Sequence, residues 1–107
     1  SLLLDLKKKG NKIAAIGAPA KGNTLLNYCG IGRYYLDYLT EKNPLKIGLY
    51  SPGTHIPIVN DGKVYQDMPD YALLLPWNFA DEIIGNMRNF RKLGGRFIIP
   101  IPKPKIV

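Results

Sequence analysis

A strand that breaks into a glycine-bounded turn and then a helix constrains the fold of this chain more than any other feature. Residues 12–16 form a mostly apolar run typical of a buried parallel strand, residues 17–24 include two glycines, and residues 24–29 have a helical pattern. The first backbone N–H groups of such a helix have no partners within it, and the helix dipole adds positive charge beside them. With Lys21 in the turn, the segment predicts an anion-binding site that suits a phosphate. The alternative interpretation is a tight turn in which Lys21 is solvated.

Two phosphate-binding motifs fit this turn only in part. The dinucleotide fingerprint G-x-G-x-x-G requires a glycine where the chain has Pro19, which argues against a nicotinamide or flavin site. The ATP-binding motif G-x-x-x-x-G-K-[ST] matches at both of its glycines, Gly17 and Gly22. Asn23 stands at the lysine position of that motif, however, which argues against an ATPase. The turn therefore predicts phosphate binding without either of these chemistries.

Hydrophobic periodicity along the chain predicts alternating helices and strands. The predicted helices cover residues 2–9 and 24–29 and a third segment that starts at residue 78 and is ended by the glycines at 94 and 95. The predicted strands cover residues 12–16, 34–39, 56–59, 71–75 and 96–99. Gly10 is expected to end the first helix. Asn23 or Thr24 is expected to cap the second helix, and Asn78 the last. This succession predicts an α/β domain with a mainly parallel sheet, interrupted by an irregular stretch over residues 41–66.

The last predicted helix is amphipathic. Its apolar residues at near-helical spacing, Phe79, Ile83, Met87 and Phe90, are expected to face the sheet. Three prolines follow the last predicted strand and prevent it from extending into a sheet interior. Ligands of parallel sheets bind beyond the carboxyl ends of the strands. We therefore expect the turn at residues 17–24, the start of the long loop near Glu41 and the turn at residues 76–78 to surround the binding site.

Composition and charge narrow the class of protein. The 107 residues suffice for one domain, the formal charge of +7 favours anionic partners, and one cysteine with one histidine is too few for a zinc site. Cys29 has no partner for an internal disulfide, which fits the cytoplasm. The sequence has no membrane-spanning run, no signal-peptide pattern and no basic stripe interleaved with aromatics, so it predicts neither a membrane nor a nucleic-acid partner. Because the chain begins at Ser1 without a methionine, we expect it to be an excised part of a longer protein.

Residues 17–28 resemble the opening motif of the C-terminal domain of S-adenosylmethionine-dependent sugar C-methyltransferases. Further segments agree with that family in order and spacing; they are residues 43–46, 52–58, 69–71, 75–78 and 94–102. The resemblance covers nearly the whole chain. It implies that residues 1–107 are a single Rossmann-like, three-layer domain with a mainly parallel sheet of four to five strands.

The same resemblance implies which role each domain has in the parent enzyme. This chain is the C-terminal, substrate-side domain, and it binds a nucleotide-linked deoxysugar together with the donor-binding domain of the same parent chain. The parent methylates a carbon of that sugar. S-adenosylmethionine, zinc and the proton-abstracting residues are implied to belong to the other domains. The chain is therefore expected to hold no cofactor and no catalytic residue, and to be inactive alone.

The expected substrate-binding residues are Lys21, Gly22, Asn23, Thr24, Glu41, Tyr50, His55 and Trp77. Glu41 stands where the family has an aspartate, an acid that can bond ribose hydroxyls. His55 is expected to anchor a loop or contact the substrate, because the sequence fixes no partner that would make it a base. Trp77 is a candidate for stacking on a nucleobase, with packing as its alternative role. Tyr50 is a candidate substrate contact, and Lys46 a candidate second phosphate contact.

Two other functions stay open on the sequence alone. One is a stand-alone α/β module that binds nucleotides or another protein without catalysis. The other is an enzyme in its own right, which ranks third because no acid–base pair or nucleophile constellation is evident.

Overall fold

The structure of the protein is a computed structural model that describes residues 2–17 and 20–107, the side chains of Ala20 and Lys21 excepted. Its helices are α1 Leu2–Lys8, α2 Ala20–Cys29, α3 Lys63–Asp67, α4 Ala80–Asn86 and α5 Arg88–Lys92, with a 3₁₀ turn at Trp77–Phe79. Its strands are β1 Ile13–Ile16, β2 Leu39–Glu41, β3 Ile58–Asn60, β4 Tyr71–Leu74, β5 Arg96–Ile99 and β6 Lys105–Ile106. The described strands form one sheet in the order β3-β2-β1-β4-β5-β6, in which β6 alone pairs antiparallel.

Helices cover both faces of this sheet, as the alternation of side chains along β1 requires. Ile13 and Ala15 belong to a buried cluster that includes Leu3 of α1 and Leu26 of α2. The intervening residues of β1 belong to a second buried cluster, with members in α3, α4 and α5; this cluster contains Ala14, Ile16, Val64, Ala72, Leu74, Ala80, Phe90 and Phe97. The prediction of an α/β domain with a mainly parallel sheet between helical layers is confirmed.

The sheet has one or two strands more than predicted. The additional strand β6 lies at the sheet edge, where Phe97 and Val107 exchange backbone hydrogen bonds of 2.9 and 3.2 Å. The three prolines lie in the connection before β6. Because that connection is not part of the sheet, their missing N–H groups remove no hydrogen bond between strands. A two-residue strand of this kind is too short to give a periodic signal.

Helix α2 starts four residues earlier than predicted. It begins at Ala20, so Asn23 and Thr24 lie inside the helix and neither caps it. Gly22 suggested a loop, but it occupies a buried position within the first turns of α2. The predicted turn residues 18 and 19 lie outside the described part of the chain.

The second strand was predicted too early in the chain. The predicted strand at residues 34–39 is largely wrong, because β2 covers Leu39–Glu41 and residues 33–35 form a turn. The alternating aromatics that suggested a strand instead pack locally, with the Tyr34 and Tyr35 rings edge to face at 5.0 Å. The register is fixed by pairing with β1, which sets Leu39 opposite Ala15.

The last predicted helix, expected to run from residue 78 to the glycines at 94 and 95, is interrupted. Met87, at φ −110° and ψ 26°, separates α4 from α5, and the segment opens with the 3₁₀ turn. Asn78 lies inside that turn and makes no side-chain cap, so its predicted capping role is wrong. Ile83 and Met87 pack against the second buried cluster and Phe90 is fully buried within it, as predicted, whereas Phe79 is 61% exposed and does not face the sheet. Phe79 belongs to the 3₁₀ turn before α4, whose tighter winding does not follow the helical spacing of the stripe.

Two remaining predictions concern short elements. Helix α3 falls in the stretch predicted to be irregular, since five residues are too few to show helical periodicity. The strand predicted at residues 56–59 is shifted and becomes β3 at Ile58–Asn60. The helix end at Gly10 is confirmed, with φ at 84° just past α1.

At the amino edge of the sheet, three side chains form what we call the amino-edge cluster: Lys12, Tyr38 and Asp67. The Lys12 ammonium lies 2.6 Å from one oxygen of Asp67, and the Tyr38 hydroxyl donates to the other at 3.1 Å. The hydrogen bond from Lys12 lowers the pKa of Asp67, and the same bond raises the pKa of Lys12. Burial, with the nearby carboxylate, raises the pKa of Tyr38. The cluster joins the starts of β1 and β2 to the end of α3.

The amino-edge cluster predicts how stability depends on pH. The lowered pKa of Asp67 stabilises the fold above its ordinary value of 3.8, and this contribution is lost as the pH falls through the folded value. The raised pKa values of Lys12 and Tyr38 stabilise the fold below 10.5 and 10.0, and that contribution is lost as the pH rises. We expect the urea unfolding midpoint to be highest between about pH 5 and pH 9.

Asp67→Asn should lower that midpoint at neutral pH and flatten its acidic fall. Asp5→Asn is the matched control, because Asp5 is exposed and lies outside the cluster. An acidic fall as steep in Asp67→Asn as in the parent chain would contradict the assignment of this titration to Asp67.

Candidate functional site

The candidate site lies where β1 ends and the chain crosses to α2. From β1 the chain continues to β2 and β3 on one side of β1, and then to β4 and β5 on the other side. The strand order therefore reverses at β1, and the carboxyl end of β1 is a topological switch point. Ligands of open α/β sheets bind at such points. Gly17, the residue after β1, donates its N–H to the hydroxyl of the fully buried Thr40 at 3.4 Å. This contact fixes the exit of β1 against β2.

The start of α2 places the predicted anion-binding residues. The first N–H groups of a helix have no partner within the helix, and in α2 these belong to residues 20–23. The backbone of Lys21 and Gly22 is therefore in the first turn, as expected for a phosphate-binding helix start. The side chain of Lys21 lies outside the described part of the structure, so its phosphate contact stays a prediction.

A cleft of about 470 Å³ opens between α2 and residues 46–52, and we call it the α2 cleft. Asn23 and Thr24 line one side of it. Its other lining residues are Lys46, Leu49, Tyr50, Ser51 and Pro52, with Leu39, Ile58 and Leu75 from the sheet. The one charged side chain among these described lining residues is Lys46, whose ammonium lies 3.9 Å from a carboxylate oxygen of Glu41.

A tight hairpin over residues 50–57 forms one wall of the α2 cleft. Tyr50 and Pro57 pair as an antiparallel bridge. Ser51 is buried, its N–H donates to the carbonyl of Ile56 at 2.9 Å, and its hydroxyl accepts from the N–H of Ile56 at 2.9 Å. The His55 N–H donates to the carbonyl of Ser51 at 2.9 Å. At the base of the hairpin, the N–H of Ile58 in β3 donates to the carbonyl of Leu49 at 2.9 Å, so the cleft wall is anchored on the sheet.

His55 supports Tyr50 within this hairpin. Their rings stack with centroids 4.3 Å apart and planes 3° apart, and the backbone of His55 adopts a positive φ of 55°. Tyr50 is half-exposed and lines the cleft with its ring backed on one face by the imidazole. An aromatic ring held in this way offers a surface on which a planar ligand can stack.

Asn27 links α2 to the hairpin. Its side-chain amide donates to the carbonyl of Asn23 at 2.9 Å and to the carbonyl of Pro52 at 3.1 Å. The second bond spans 25 residues of sequence and sets the distance between the two walls of the α2 cleft. Nothing in the local sequence pattern marks Asn27 for this role.

Glu41 holds the loop after β2. One of its carboxylate oxygens accepts from the N–H groups of Lys42 and Asn43 at 2.9 and 3.2 Å. Its other oxygen lies 3.9 Å from the ammonium of Lys46. Both oxygens therefore have protein partners, and Glu41 reaches the α2 cleft through Lys46. Its predicted contact with ribose hydroxyls stays a prediction.

Trp77 lies in a recess beside the α2 cleft rather than in it. The recess, about 430 Å³, is lined by Thr24, Leu25, Tyr28, Trp77 and Ile101, so Thr24 separates the two spaces. Of the predicted site residues, Asn23, Thr24 and Tyr50 line the α2 cleft, and His55 stacks on the ring of Tyr50. Trp77 lines the neighbouring recess. Lys46, the candidate second phosphate contact, also lines the cleft, whereas the roles of Ser51 and Asn27 were not predicted.

The described residues contain neither a cluster of metal ligands nor a helix that could span a membrane. Across residues 2–17 and 20–107, no three His, Cys, Asp or Glu side chains stand close enough to share a metal ion. None of the described helices combines the length and apolar character needed to cross a bilayer.

Comparison with known proteins gives two findings. The family model described as the C-methyltransferase C-terminal domain matches residues 1–102. The C-methyltransferase NovU of Streptomyces niveus is 44% identical over 98 residues, which are 92% of this chain and 23% of the relative. The chain therefore spans less than a quarter of the length of the curated relative that it matches.

Proposed function

The chain belongs to the family of C-methyltransferase C-terminal domains, and from that premise we propose that it binds the nucleotide part of a nucleotide-linked deoxysugar. The parent enzyme transfers a methyl group from S-adenosylmethionine to a carbon of that sugar. The chain itself supplies binding and orientation and transfers no methyl group alone. Its substrate contacts come from Lys21, Gly22, Asn23, Thr24, Glu41, Tyr50, His55 and Trp77, with Lys46 in addition.

One observation carries this proposal: the start of α2, Lys46 and the stacked ring of Tyr50 all border one cleft. The helix start and the ammonium suit a diphosphate, because both favour negative charge. The backed aromatic ring suits a nucleobase. The net charge of +7 favours the same class of ligand at longer range.

The methyl donor and zinc belong to other domains of the parent chain. S-adenosylmethionine, when bound there, supplies the methyl group. The residues described here do not fit a zinc site, since no set of three candidate ligands is assembled among them.

The donor-binding domain is the proposed protein partner. Tyr28 and Leu45, which are 90% and 82% exposed, support a surface that another domain covers. The free thiol of Cys29 supports a cytoplasmic setting.

Titration of thymidine diphosphate into the isotope-labelled chain tests the binding role. Charge-assisted hydrogen bonds contribute roughly 1.5–3 kcal/mol each, so two of them correspond to a Kd on the order of 1 mM. We expect the amide signals of Gly22, Asn23 and Thr24 to shift with that affinity in two-dimensional NMR spectra. Lys46→Ala should weaken binding, and thymidine without phosphates should leave the amides at the start of α2 unmoved.

If these amides stay in place at about ten times that concentration, the site assignment is wrong. A stand-alone protein-interaction module is the alternative function, and the exposed Tyr28 is the observation that favours it. That alternative predicts no response to any nucleotide.

A further inference from the structure

An apolar pocket of about 250 Å³ lies on the side of the sheet that α1 and α2 cover, next to the recess that contains Trp77. Leu25 and Ile101 line both spaces, so the pocket and the recess form one continuous surface. This surface joins the start of α1, the second half of α2 and the connection between β5 and β6. We call it the apolar face, and we define it by Leu2, Leu25, Tyr28, Cys29, Pro100 and Ile101.

The residues of the apolar face carry no charge, although the chain as a whole is rich in charge. Of the 107 residues, 15 are Lys or Arg and 8 are Asp or Glu. Among the described residues that line the pocket and the recess, however, none is charged. Tyr28 is 90% exposed, and Cys29 is exposed as well. Exposed apolar surface that lacks charge and presents an aromatic ring is typical of the centre of a protein–protein interface.

The place of the apolar face on the chain indicates what covers it. The chain belongs to a family of C-terminal domains, and the rest of a parent chain joins such a domain at its amino terminus. The first described residue, Leu2, itself lines the pocket. A domain joined there is held close to the apolar face, and this proximity raises its effective concentration at that face.

Two other kinds of occupant fit the apolar face less well. A second copy of the chain is opposed by charge, because each copy carries a formal charge of +7. A small-molecule ligand is opposed by size, because ligand cavities are usually roughly 300–1,000 Å³ and this pocket is smaller. Its volume suits a single apolar side chain that a partner protein inserts as an anchor.

We propose, on the basis of the proposed function, that the donor-binding domain of the parent chain docks on the apolar face and inserts an apolar side chain into the pocket. Docking buries the ring of Tyr28 and the thiol of Cys29. Thr24 lines both the recess and the α2 cleft. The docked domain is therefore placed next to the nucleotide site.

Cys29 reports on docking, because it is the one cysteine of the chain and lies on the apolar face. Its rate of alkylation by N-ethylmaleimide is measured without nucleotide, in the isolated chain and in the full-length parent protein. Mass spectrometry of the peptide that contains Cys29 separates this thiol from those of other domains. We expect Cys29 to react at least about tenfold more slowly in the parent protein, which corresponds to ~1.4 kcal/mol.

A cysteine placed at residue 93 is the matched control for this measurement. Leu93 is 65% exposed and follows α5, a helix that packs on the other face of the sheet. The thiol of Leu93→Cys should therefore react equally fast in the isolated chain and in the parent protein.

Tyr28→Glu tests whether the apolar face causes the protection of Cys29. Because Tyr28 is so exposed, the substitution removes few contacts from the folded chain. A carboxylate buried in the interface opposes docking. The alkylation rate in the isolated chain, divided by the rate in the parent protein, should fall from about tenfold to within about twofold. This ratio cancels any direct effect of the new carboxylate on the thiol, and Leu93→Glu should leave the ratio unchanged.

Equal alkylation of Cys29 in the isolated chain and the parent protein would overturn the docking proposal, as would protection that survives Tyr28→Glu. Protection that grows with the concentration of the isolated chain would assign the apolar face to a second copy and overturn the proposal too. Titration of thymidine diphosphate tests the proposed function separately. If the chain binds this nucleotide while Cys29 stays unprotected, docking fails and the binding function stands. If Cys29 is protected and no nucleotide binds, docking stands and the binding function fails.

Discussion

Replacing Phe90 by alanine is expected to lower the free energy of unfolding by about 3–5 kcal/mol. Phe90 is fully buried in the cluster beneath the sheet, and its ring contacts Phe97 with centroids 5.4 Å apart. A Cβ placed on Gly95 would overlap the Phe90 ring, so the backbone of the α5–β5 turn packs directly on it. Truncation removes the ring from all these contacts and leaves a cavity that rigid strands cannot close.

The effect is large relative to the stability of the whole domain, which for chains of this size is on the order of 5–15 kcal/mol. Urea unfolding followed by circular dichroism measures it. Phe79→Ala is the matched control, because Phe79 is 61% exposed. This substitution should lower the free energy of unfolding by less than about 0.5 kcal/mol. Equal effects of the two truncations would contradict the assignment of Phe90, rather than Phe79, to the core.

The contrast between these two phenylalanines shows what the sequence could predict and what it could not. The predicted stripe contained both, since they are placed at near-helical spacing. The spacing correctly indicated a helix packed on the sheet, and Phe90 confirms it. It could not show that Met87 interrupts the helix or that Phe79 lies in a 3₁₀ turn, because the backbone angles there depend on tertiary packing. Local periodicity therefore predicted the element and three of its four sheet-facing residues, and missed the 3₁₀ turn and the break.

The same distinction applies to the strands and the candidate site. Ile13–Ile16 and Tyr71–Leu74 were predicted almost to the residue, since a strand buried on both faces is a continuous apolar run. The crossing from β1 to α2 was predicted from its glycines, although the helix begins earlier than they suggest. The α2 cleft had no local signal. Its walls depend on the Asn27–Pro52 hydrogen bond and the Tyr50–His55 stacking, contacts formed only after the chain folds.

Gly53→Ala is expected to lower the free energy of unfolding by about 2–3 kcal/mol and to weaken nucleotide binding. Gly53 has φ at 78°, a backbone conformation that costs other residues roughly 1–2 kcal/mol. A Cβ at this position would also overlap the side-chain amide of Asn27. Moving that amide breaks its bonds to Pro52 and Asn23, which are worth about 1 kcal/mol each at most at this exposed position.

The control for this substitution is Gly85→Ala. Gly85 lies inside α4, and a Cβ there would meet no heavy atom within 4 Å. Alanine is the better helix former, so the variant should gain about 0.5–1 kcal/mol. Urea midpoints of both variants, with thymidine diphosphate titrations of each, separate damage to the cleft from a general effect of adding a methyl group. A Gly53→Ala chain as stable as the parent would contradict the backbone conformation of the hairpin.

A double variant divides the cost of Gly53→Ala into its two causes. Asn27→Ala alone removes the amide and its bonds, whereas in the double variant the new Cβ has no amide to displace. The strain of the positive φ persists in both backgrounds, so the loss from Gly53→Ala should shrink by about 1 kcal/mol when Asn27 is already alanine. Equal losses in the two backgrounds would mean that the Cβ does not meet Asn27. The α2 cleft depends on this contact because the hairpin can approach α2 only where a residue without a side chain faces the amide that joins them.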